Sequence, residues 1–180
     1  MSRLAVPARD DSHNRSIPLL DAIGKQLGFI PNRFRLIGNS PAALEAYLGF
    51  SHAMNKTLDG KMRARIAMAV AQVNGCDYCL SANSYLGSNM ARLDAAELAA
   101  NRRGHSNDMK ADPAVFFAKK VAETRGKVTD SDIETVVAAG CTDAQIVEIV
   151  LVVALNFLSN LINNVGDTEI DFPQVYASAA

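Results

Sequence analysis

Hydrophobic residues recur every three or four positions along most of the chain, which is the spacing of an amphipathic α-helix. The series is clear in residues 61–73, and in residues 143–165 hydrophobic side chains occupy almost every side of the helix. No long run alternates hydrophobic with polar residues, as a half-buried strand would. The pattern therefore predicts an all-α fold with the 143–165 helix near its centre.

Side chains that begin helices divide the rest of the chain into segments. Ser40-Pro41 and Asp112-Pro113 each place a capping residue before a proline, which is tolerated at the first helical position. Asp94, Thr129 and Thr142 each precede an acidic residue or a glutamine by three positions, as in a capping box. Together with the periodicity, these starts predict seven or eight helices, over residues 18–27, 41–57, 61–73, 77–90, 94–102, 113–125, 130–139 and 143–165.

The length of 180 residues has room for one domain with an added arm. We expect an N-terminal arm over residues 1–15 and a single helical domain over residues 16–180, which ends in an extended tail from Thr168. The composition, 49% hydrophobic and 21% charged, is that of a globular protein rather than a disordered chain. The net charge of -1 gives no reason to expect nucleic acid or an anionic membrane surface as a partner.

Two stretches bear on the cellular location. Residues 1–11 have no apolar centre and carry acidic residues, unlike a secretory signal. Residues 149–166 hold no charge over nearly the length of a bilayer span, but they contain asparagines that are costly in hydrocarbon. Asn156, Asn160 and Asn164 form a polar stripe that needs partners in a pocket, a neighbouring helix or a second subunit. We therefore expect a helix buried in a soluble, cytoplasmic protein.

The chemistry of the sequence concentrates at two cysteines three positions apart. Gly75 is suited to the left-handed residue that ends one helix, so that the next helix begins at Cys76. Residues at this spacing on a helix have Cβ atoms roughly 5–6 Å apart, and a disulfide accepts Cα separations of about 4.4–6.8 Å. The N-terminal end of a helix also stabilises a thiolate. Cys76 and Cys79 are therefore a candidate reversible dithiol.

Two other interpretations of the cysteine pair stay open. A zinc site needs four ligands, of which the pair supplies two. The remaining candidates are scattered without metal-ligand spacing: Cys141, His13, His52 and His105. Alternatively, both cysteines are inert core residues, since a free cysteine packs as a small hydrophobe, and Cys141 has that role before the helix start at Thr142. The dithiol interpretation requires that the two sulfurs face each other and that a path leads to them.

The residues around the pair carry a family resemblance. Residues 61–87, KMRARIAMAVAQVNGCDYCLSANSYLG, are similar to the core of the alkylhydroperoxidase AhpD / carboxymuconolactone decarboxylase family. Residues 28–32 and 168–173, GFIPN and TEIDFP, resemble the longer, peroxidase-related branch of that family. The similarity extends from Gly28 to Pro173. It implies an all-helical, AhpD-like protein that assembles as a homo-oligomer (a dimer, trimer or hexamer).

The resemblance also implies a role for each cysteine, in a thiol-dependent alkyl hydroperoxide reductase. Cys79 would attack the organic hydroperoxide and become a sulfenic acid, and Cys76 would be its proton donor and resolving partner. A lipoyl-like dithiol on a reductant protein would reopen the disulfide, and no cofactor would be bound. The decarboxylase branch lacks the cysteine pair, so the pair favours the redox branch over a lactone decarboxylase.

Two positions depart from the family pattern. The family's CxxCxxxH motif has a histidine where this chain has Asn83, and the family's glutamate, twelve residues before the first cysteine, is Ala64 here. Neither side chain accepts a proton near neutral pH, and a proton relay contributes roughly 10²–10⁴-fold to a rate. We expect a slow peroxidase, with Asn83 holding a water or the peroxide oxygen and His52 as the candidate replacement base. The alternative is a non-catalytic or weakly active oligomeric relative that binds a ligand or partner.

Overall fold

Helices account for most of the computed structural model, which describes residues 2–177. A short 3-10 helix over Arg9–Asp11 precedes them, and this described range contains no strand. The all-α prediction is therefore confirmed. The helices within it are α1 (Ile17–Leu27), α2 (Asn32–Ile37), α3 (Pro41–Met54), α4 (Gly60–Val73), α5 (Asp77–Asn89), α6 (Ala95–Arg102), α7 (Asp112–Thr124), α8 (Asp130–Ala138) and α9 (Asp143–Gly166).

The helix α2 is the element that the sequence pattern did not predict. It has only six residues, and its N-cap, Pro31, has no side chain that could accept a hydrogen bond from the first turn. The backbone N–H of Asn32 instead donates to Asp171 Oδ2 at 2.7 Å, and the Asn32 side chain donates to the carbonyl of Glu169 at 2.9 Å. Both partners lie more than 130 residues away, so this start has no local sequence signal.

The capping predictions are confirmed at three helices and corrected at two. Ser40 accepts a hydrogen bond from Ala43, and Thr129 and Thr142 form complete capping boxes. Asp94 also caps its helix, but the Glu97 side chain does not return to it because it binds Arg65. The prediction for Asp112 is wrong, since the N-cap of α7 is Ala111 and Asp112 lies within the helix, accepting a hydrogen bond from the Ser106 N–H.

The centre of the fold is α4 rather than α9. Seven consecutive residues of α4, Arg65–Ala71, are buried, and the helix packs against α5, α6, α7 and α9. Alanines at 67, 69 and 71 leave the neighbouring helices room to approach. This burial corrects the expectation that residues 143–165 occupy the centre, because a large part of α9 faces away from its neighbours.

One face of α9 is buried and the other is exposed. Ile149, Val152 and Val153 pack into the core against α4 and α7, while Leu161 and Val165 are about 60% exposed. By length and composition alone, α9 is the one helix among the described residues that could cross a membrane. In this fold one face of α9 packs against α2, α3, α4, α5 and α7.

A buried ion pair connects α4 to α6. Arg65, 8% exposed, donates to Glu97 Oε1 at 2.7 Å and to Asp108 Oδ2 at 3.2 Å. Burial of Glu97 would by itself raise its pKa. The hydrogen bonds from Ser106, Asn101, the Asn107 N–H and Arg65 outweigh this effect and lower the pKa of Glu97 to about 2. The ionised carboxylate is therefore the form that the fold stabilises.

This pKa difference predicts a specific loss of stability in acid. The pKa of Glu97 is lowered from 4.5, so its contribution is complete above pH 4.5 and is lost as the pH falls towards 2. For Glu97→Gln we expect a lower free energy of unfolding than wild type near neutral pH, and a gap that shrinks by on the order of 2 kcal/mol in acid. Urea unfolding at several pH values measures both quantities.

The matched control is Glu123→Gln, which removes a half-exposed carboxylate that pairs with Lys119 at 3.3 Å. A surface pair of this kind contributes roughly 0.2–1 kcal/mol, so its variant should follow the wild-type pH dependence closely. A gap between wild type and Glu97→Gln that stays constant from neutral to acidic pH would contradict the prediction.

Candidate active site

The two cysteines lie where α4 gives way to α5. The chain leaves α4 at Val73 and turns through Gly75, whose φ of 58° is the left-handed conformation that the sequence predicts there. The Cys76 N–H then donates to the carbonyl of Ala71 at 3.0 Å. Cys76 is the N-cap of α5, which begins at Asp77, the first residue of the predicted range 77–90.

The geometry brings the two sulfurs together. The Cα atoms of Cys76 and Cys79 are 5.2 Å apart, inside the range that a disulfide accepts, and the structure joins the two side chains by a disulfide bond. The Cys79 N–H donates to Cys76 Sγ at 3.2 Å, so Cys76 receives the hydrogen bond that an N-cap side chain normally accepts. The pair therefore meets the first requirement of a reversible dithiol, namely that its sulfurs face each other.

A residue that the sequence analysis missed contacts the second sulfur. Asn163, on α9, points its amide at Cys79 Sγ at 3.4 Å and also donates to the carbonyl of Ser159 at 2.9 Å. It is 3% exposed, and its Oδ1 has no hydrogen-bond partner among the described residues. An amide N–H directed at sulfur favours the thiolate over the thiol. Asn163 directly precedes Asn164, so the predicted polar stripe includes the neighbour of the residue that contacts Cys79 but not that residue itself.

The polar stripe itself fixes the loop before the cysteines. Asn160 accepts a hydrogen bond from the Asn74 side chain at 2.8 Å, and Asn164 donates to the Asn74 carbonyl at 3.0 Å. Asn156 donates to the Val152 carbonyl in its own helix at 2.8 Å. The sequence left three kinds of partner open for these asparagines: a pocket, a neighbouring helix or a second subunit. Asn160 and Asn164 both bind Asn74, in a neighbouring segment of the same chain.

The C-terminal tail packs over the start of α5. The Phe172 ring contacts the rings of Tyr78, Tyr85 and Phe29, with centroids 5.8, 5.7 and 5.5 Å away. The Tyr78 hydroxyl donates to Asp171 Oδ1 at 2.9 Å, and burial raises its pKa. The tail is extended, as predicted, and it covers its own chain.

This covering leaves little sulfur surface exposed. Cys76 is fully buried and Cys79 is 3% exposed. A polar cavity of about 450 Å³ borders Gly75, Asp77, Tyr78 and Asn163. We call this the polar cavity. The polar cavity borders Asn163, whose amide contacts Cys79 Sγ, so the Asn163 side chain links the cavity to that sulfur.

A second cavity, of about 620 Å³, is lined by residues of α3, α4, α5 and α9. Ala64 and Asn83 both line it, so the two departures from the family pattern share one wall. Asn83 is half-buried and donates to the Ala67 carbonyl at 3.2 Å. We call this the basic cavity, because its wall also contains Arg33, Lys61, Arg63 and Arg92.

The other candidate residues lie apart from the dithiol. His52 is exposed on α3 and lines neither the polar nor the basic cavity. His13 is exposed, and His105 stacks on Phe116 and contacts Asp112 at 3.1 Å. Cys141 is half-buried against the core, and burial raises the pKa of its thiol. The roles assigned to Cys76, Cys79, Asn83 and His52 stay predictions.

Comparison with known proteins finds one family match. Residues 41–124 match the carboxymuconolactone decarboxylase family. The match spans α3 to α7. It includes the cysteine pair and the part of the basic cavity's wall that α4 and α5 form. No curated protein matches the sequence significantly.

Solved structures with the same fold agree with this assignment. A peroxidase-related protein from Ralstonia eutropha JMP134 with an AhpD core superposes with a TM-score of 0.82 at 23% identity, covering 94% of this chain and 92% of its own. One from Silicibacter sp. TM1040 gives a TM-score of 0.78 at 20% identity, covering 93% and 91%. The debrominase Bmp8 gives 0.78 at 20% identity, covering 94% and 92%, and a cysteine variant of it was crystallised with 2,3,4-tribromopyrrole. At these identities the likeness shows the AhpD-like fold.

The contact between Asn163 and Cys79 predicts a shift in thiol reactivity. In a Cys76→Ser background, Asn163→Asp replaces an N–H donor by a carboxylate beside Cys79 Sγ, which disfavours the thiolate. We expect the midpoint of the pH profile of Cys79 alkylation to rise by roughly one pH unit. The rate of iodoacetamide labelling as a function of pH measures it.

Asn89→Asp is the matched control, since it introduces the same charge at an exposed site on α5, where the asparagine side chain donates to the Tyr85 carbonyl of its own helix. Its alkylation profile should stay close to that of the Cys76→Ser parent. If both aspartate variants shift the midpoint equally, the effect is a general one of added charge, and the direct contact has no special role.

Proposed function

We propose that this protein reduces organic hydroperoxides with the Cys76–Cys79 dithiol, at the expense of an external dithiol reductant. The observation that carries the proposal is the position of the two cysteines. They lie at bonding distance where a helix begins, and each sulfur accepts one N–H hydrogen bond. Reduced, these sulfurs have donors that stabilise thiolates, and oxidised, they close with no backbone movement. The match of residues 41–124 to the carboxymuconolactone decarboxylase family and a fold shared with peroxidase-related proteins support the proposal.

The reaction balances with the residues present. The Cys79 thiolate attacks one oxygen of the hydroperoxide, the O–O bond breaks, and the alcohol leaves with a proton while Cys79 becomes a sulfenic acid. The Cys76 sulfur then attacks the sulfenic sulfur, forming the disulfide and releasing water. A dithiol reductant exchanges with this disulfide and restores both thiols, itself becoming a disulfide. Cys79 suits the attacking role because Asn163, which lines the polar cavity, directs an N–H at its sulfur.

The absence of the family's proton relay determines the turnover rate that we expect. With Ala64 and Asn83 in place of a glutamate and a histidine, no side chain at those positions can move a proton. The proton for the departing alcohol must come from Cys76 or from solvent, so we infer a turnover roughly 10²–10⁴-fold below that of an enzyme with an intact relay. A reducing, cytoplasmic compartment would supply the reductant.

Cysteine substitutions test the proposal directly. With cumene hydroperoxide alone, we expect the reduced wild type to lose two thiols per peroxide and to gain a Cys76–Cys79 disulfide. Added dihydrolipoamide should restore both thiols and sustain turnover. Cys79→Ser should abolish turnover, because the attacking sulfur is gone. Cys76→Ser should stop after one event, leaving a sulfenic acid at Cys79 that dimedone traps and mass spectrometry locates.

Cys141→Ser is the matched control and should turn over as wild type does, since this half-buried thiol belongs to the core. Turnover no faster than the uncatalysed background would favour the non-catalytic, ligand-binding relative instead. Activity on a lactone that survives Cys79→Ser would indicate the decarboxylase alternative.

We also propose that α9 joins copies of the chain into a homo-oligomer. Val147, Leu151, Leu158, Leu161 and Val165 are between 38% and 63% exposed on one face of this helix. With Ala154, they are spaced alternately four and three residues apart, which is the repeat of a helix that packs along a partner helix. An exposed hydrophobic stripe of this length is unusual on a monomer.

A charge placed in this stripe should weaken the assembly. We expect wild type to sediment as a dimer, trimer or hexamer, and Leu161→Lys to dissociate towards the monomer because the lysine would lose its hydration at the interface. Analytical ultracentrifugation measures the masses. Val137→Lys, at a 46% exposed position on α8, is the control and should keep the wild-type mass. A monomeric wild type would overturn the assignment of α9.

A further inference from the structure

The basic cavity has the size and the mixed lining of a small-molecule site. Its volume of about 620 Å³ lies within the range of roughly 300–1,000 Å³ that ligand sites occupy. Hydrophobic side chains from four elements form part of its wall, among them Tyr47, Met54, Leu86 and Leu155. These side chains would surround the hydrophobic body of a ligand.

The charge of the wall is strongly one-sided. Four basic side chains line the cavity against a single carboxylate, Asp59. The chain as a whole has a net charge of -1, so this positive excess is a local property of the cavity. A concave surface lined by one sign of charge concentrates ions of the opposite sign.

The four basic side chains are not committed to carboxylates elsewhere. Within residues 2–177, none of Arg33, Lys61, Arg63 and Arg92 belongs to an ion pair. Arg63 donates to the carbonyl of Leu58, and the Arg33 guanidinium stacks on the Phe34 ring at 4.5 Å. The Nε of Arg33 is buried with no hydrogen-bond partner in the described range. The positive charges of these four side chains are therefore available to an anionic ligand in the cavity.

From these features we propose that the basic cavity binds an organic carboxylate with a hydrophobic body. Guanidinium groups recognise a carboxylate with two parallel hydrogen bonds, which Arg33 and Arg63 can supply, and Lys61 and Arg92 add positive charge to the wall. Because no step of the dithiol chemistry is required for this binding, it holds whether or not the protein reduces peroxides.

The test compares two probes of nearly equal shape and different charge. Isothermal titration of octanoate and octanamide into the oxidised protein, without peroxide or reductant, measures binding apart from turnover. We expect octanoate to bind at least about tenfold more tightly than octanamide, and its affinity to fall as salt is added. Acetate, which has the charge without the hydrophobic body, should bind far more weakly than octanoate.

Two kinds of variant locate the site: one removes positive charge from the cavity wall and the other removes negative charge. Lys61→Gln with Arg63→Gln should lower octanoate affinity at least about tenfold, whereas Lys110→Gln with Lys127→Gln removes the same charge from exposed positions outside the cavity and should leave it unchanged. Asp59→Asn removes the only carboxylate of the wall and keeps an N-cap residue of equal quality for α4, so it should tighten octanoate binding. A gain of affinity cannot arise from unfolding.

Equal affinity for octanoate and octanamide would overturn the proposal, as would the absence of binding by octanoate. An unchanged octanoate affinity in both Lys61→Gln/Arg63→Gln and Asp59→Asn would place the anion elsewhere and would also overturn it. Peroxidase turnover plays no part in these measurements, so failure of the dithiol chemistry leaves their outcome unaffected.

Discussion

Burial of α4 on every side is the constraint on which the rest of the structure depends. From Arg65 to Ala71 the helix has no face towards solvent, so every helix around it must supply a complementary surface. Its one buried charge, Arg65, cannot stay unpaired inside the core. Glu97 and Asp108 meet it from α6 and the following loop, and this places both segments against the centre.

The same helix determines where the dithiol lies. After α4 ends at Val73, the turn through Gly75 delivers Cys76 into a buried position, and α5 packs against α4 from there. The long helix α9 crosses close to this turn, where Asn160 and Asn164 bind Asn74 and Asn163 reaches Cys79. One helix thus provides the contacts that fix the turn and a donor to the sulfur, which couples the cysteine pair to the packing of the core.

Local signals predicted most of the helices, and they failed wherever a distant residue decides the outcome. Gly75 and the caps at Ser40, Thr129 and Thr142 act within a few positions, so their structures follow from short stretches of sequence. The start of α2, by contrast, depends on Asp171, and Glu97 leaves its expected capping box for an arginine 32 positions away. The role of Asn163 beside Cys79 spans 84 positions and has no local pattern at all.

In the fold, the two departures from the family pattern affect the same cavity. Ala64 and Asn83 line the same cavity as four basic side chains. A glutamate at position 64 would put a second carboxylate into a wall that now has only Asp59, and a neighbouring arginine or lysine would be drawn to it. Alanine leaves those cations free and adds hydrophobic surface, and asparagine adds none of the positive charge that a protonated histidine could bring. The absence of a glutamate at position 64 therefore favours the proposed anion site, whereas Asn83 adds no charge of either sign. A carboxylate at position 64 would serve a proton relay, but it would also neutralise part of the positive charge on which the proposed anion site depends.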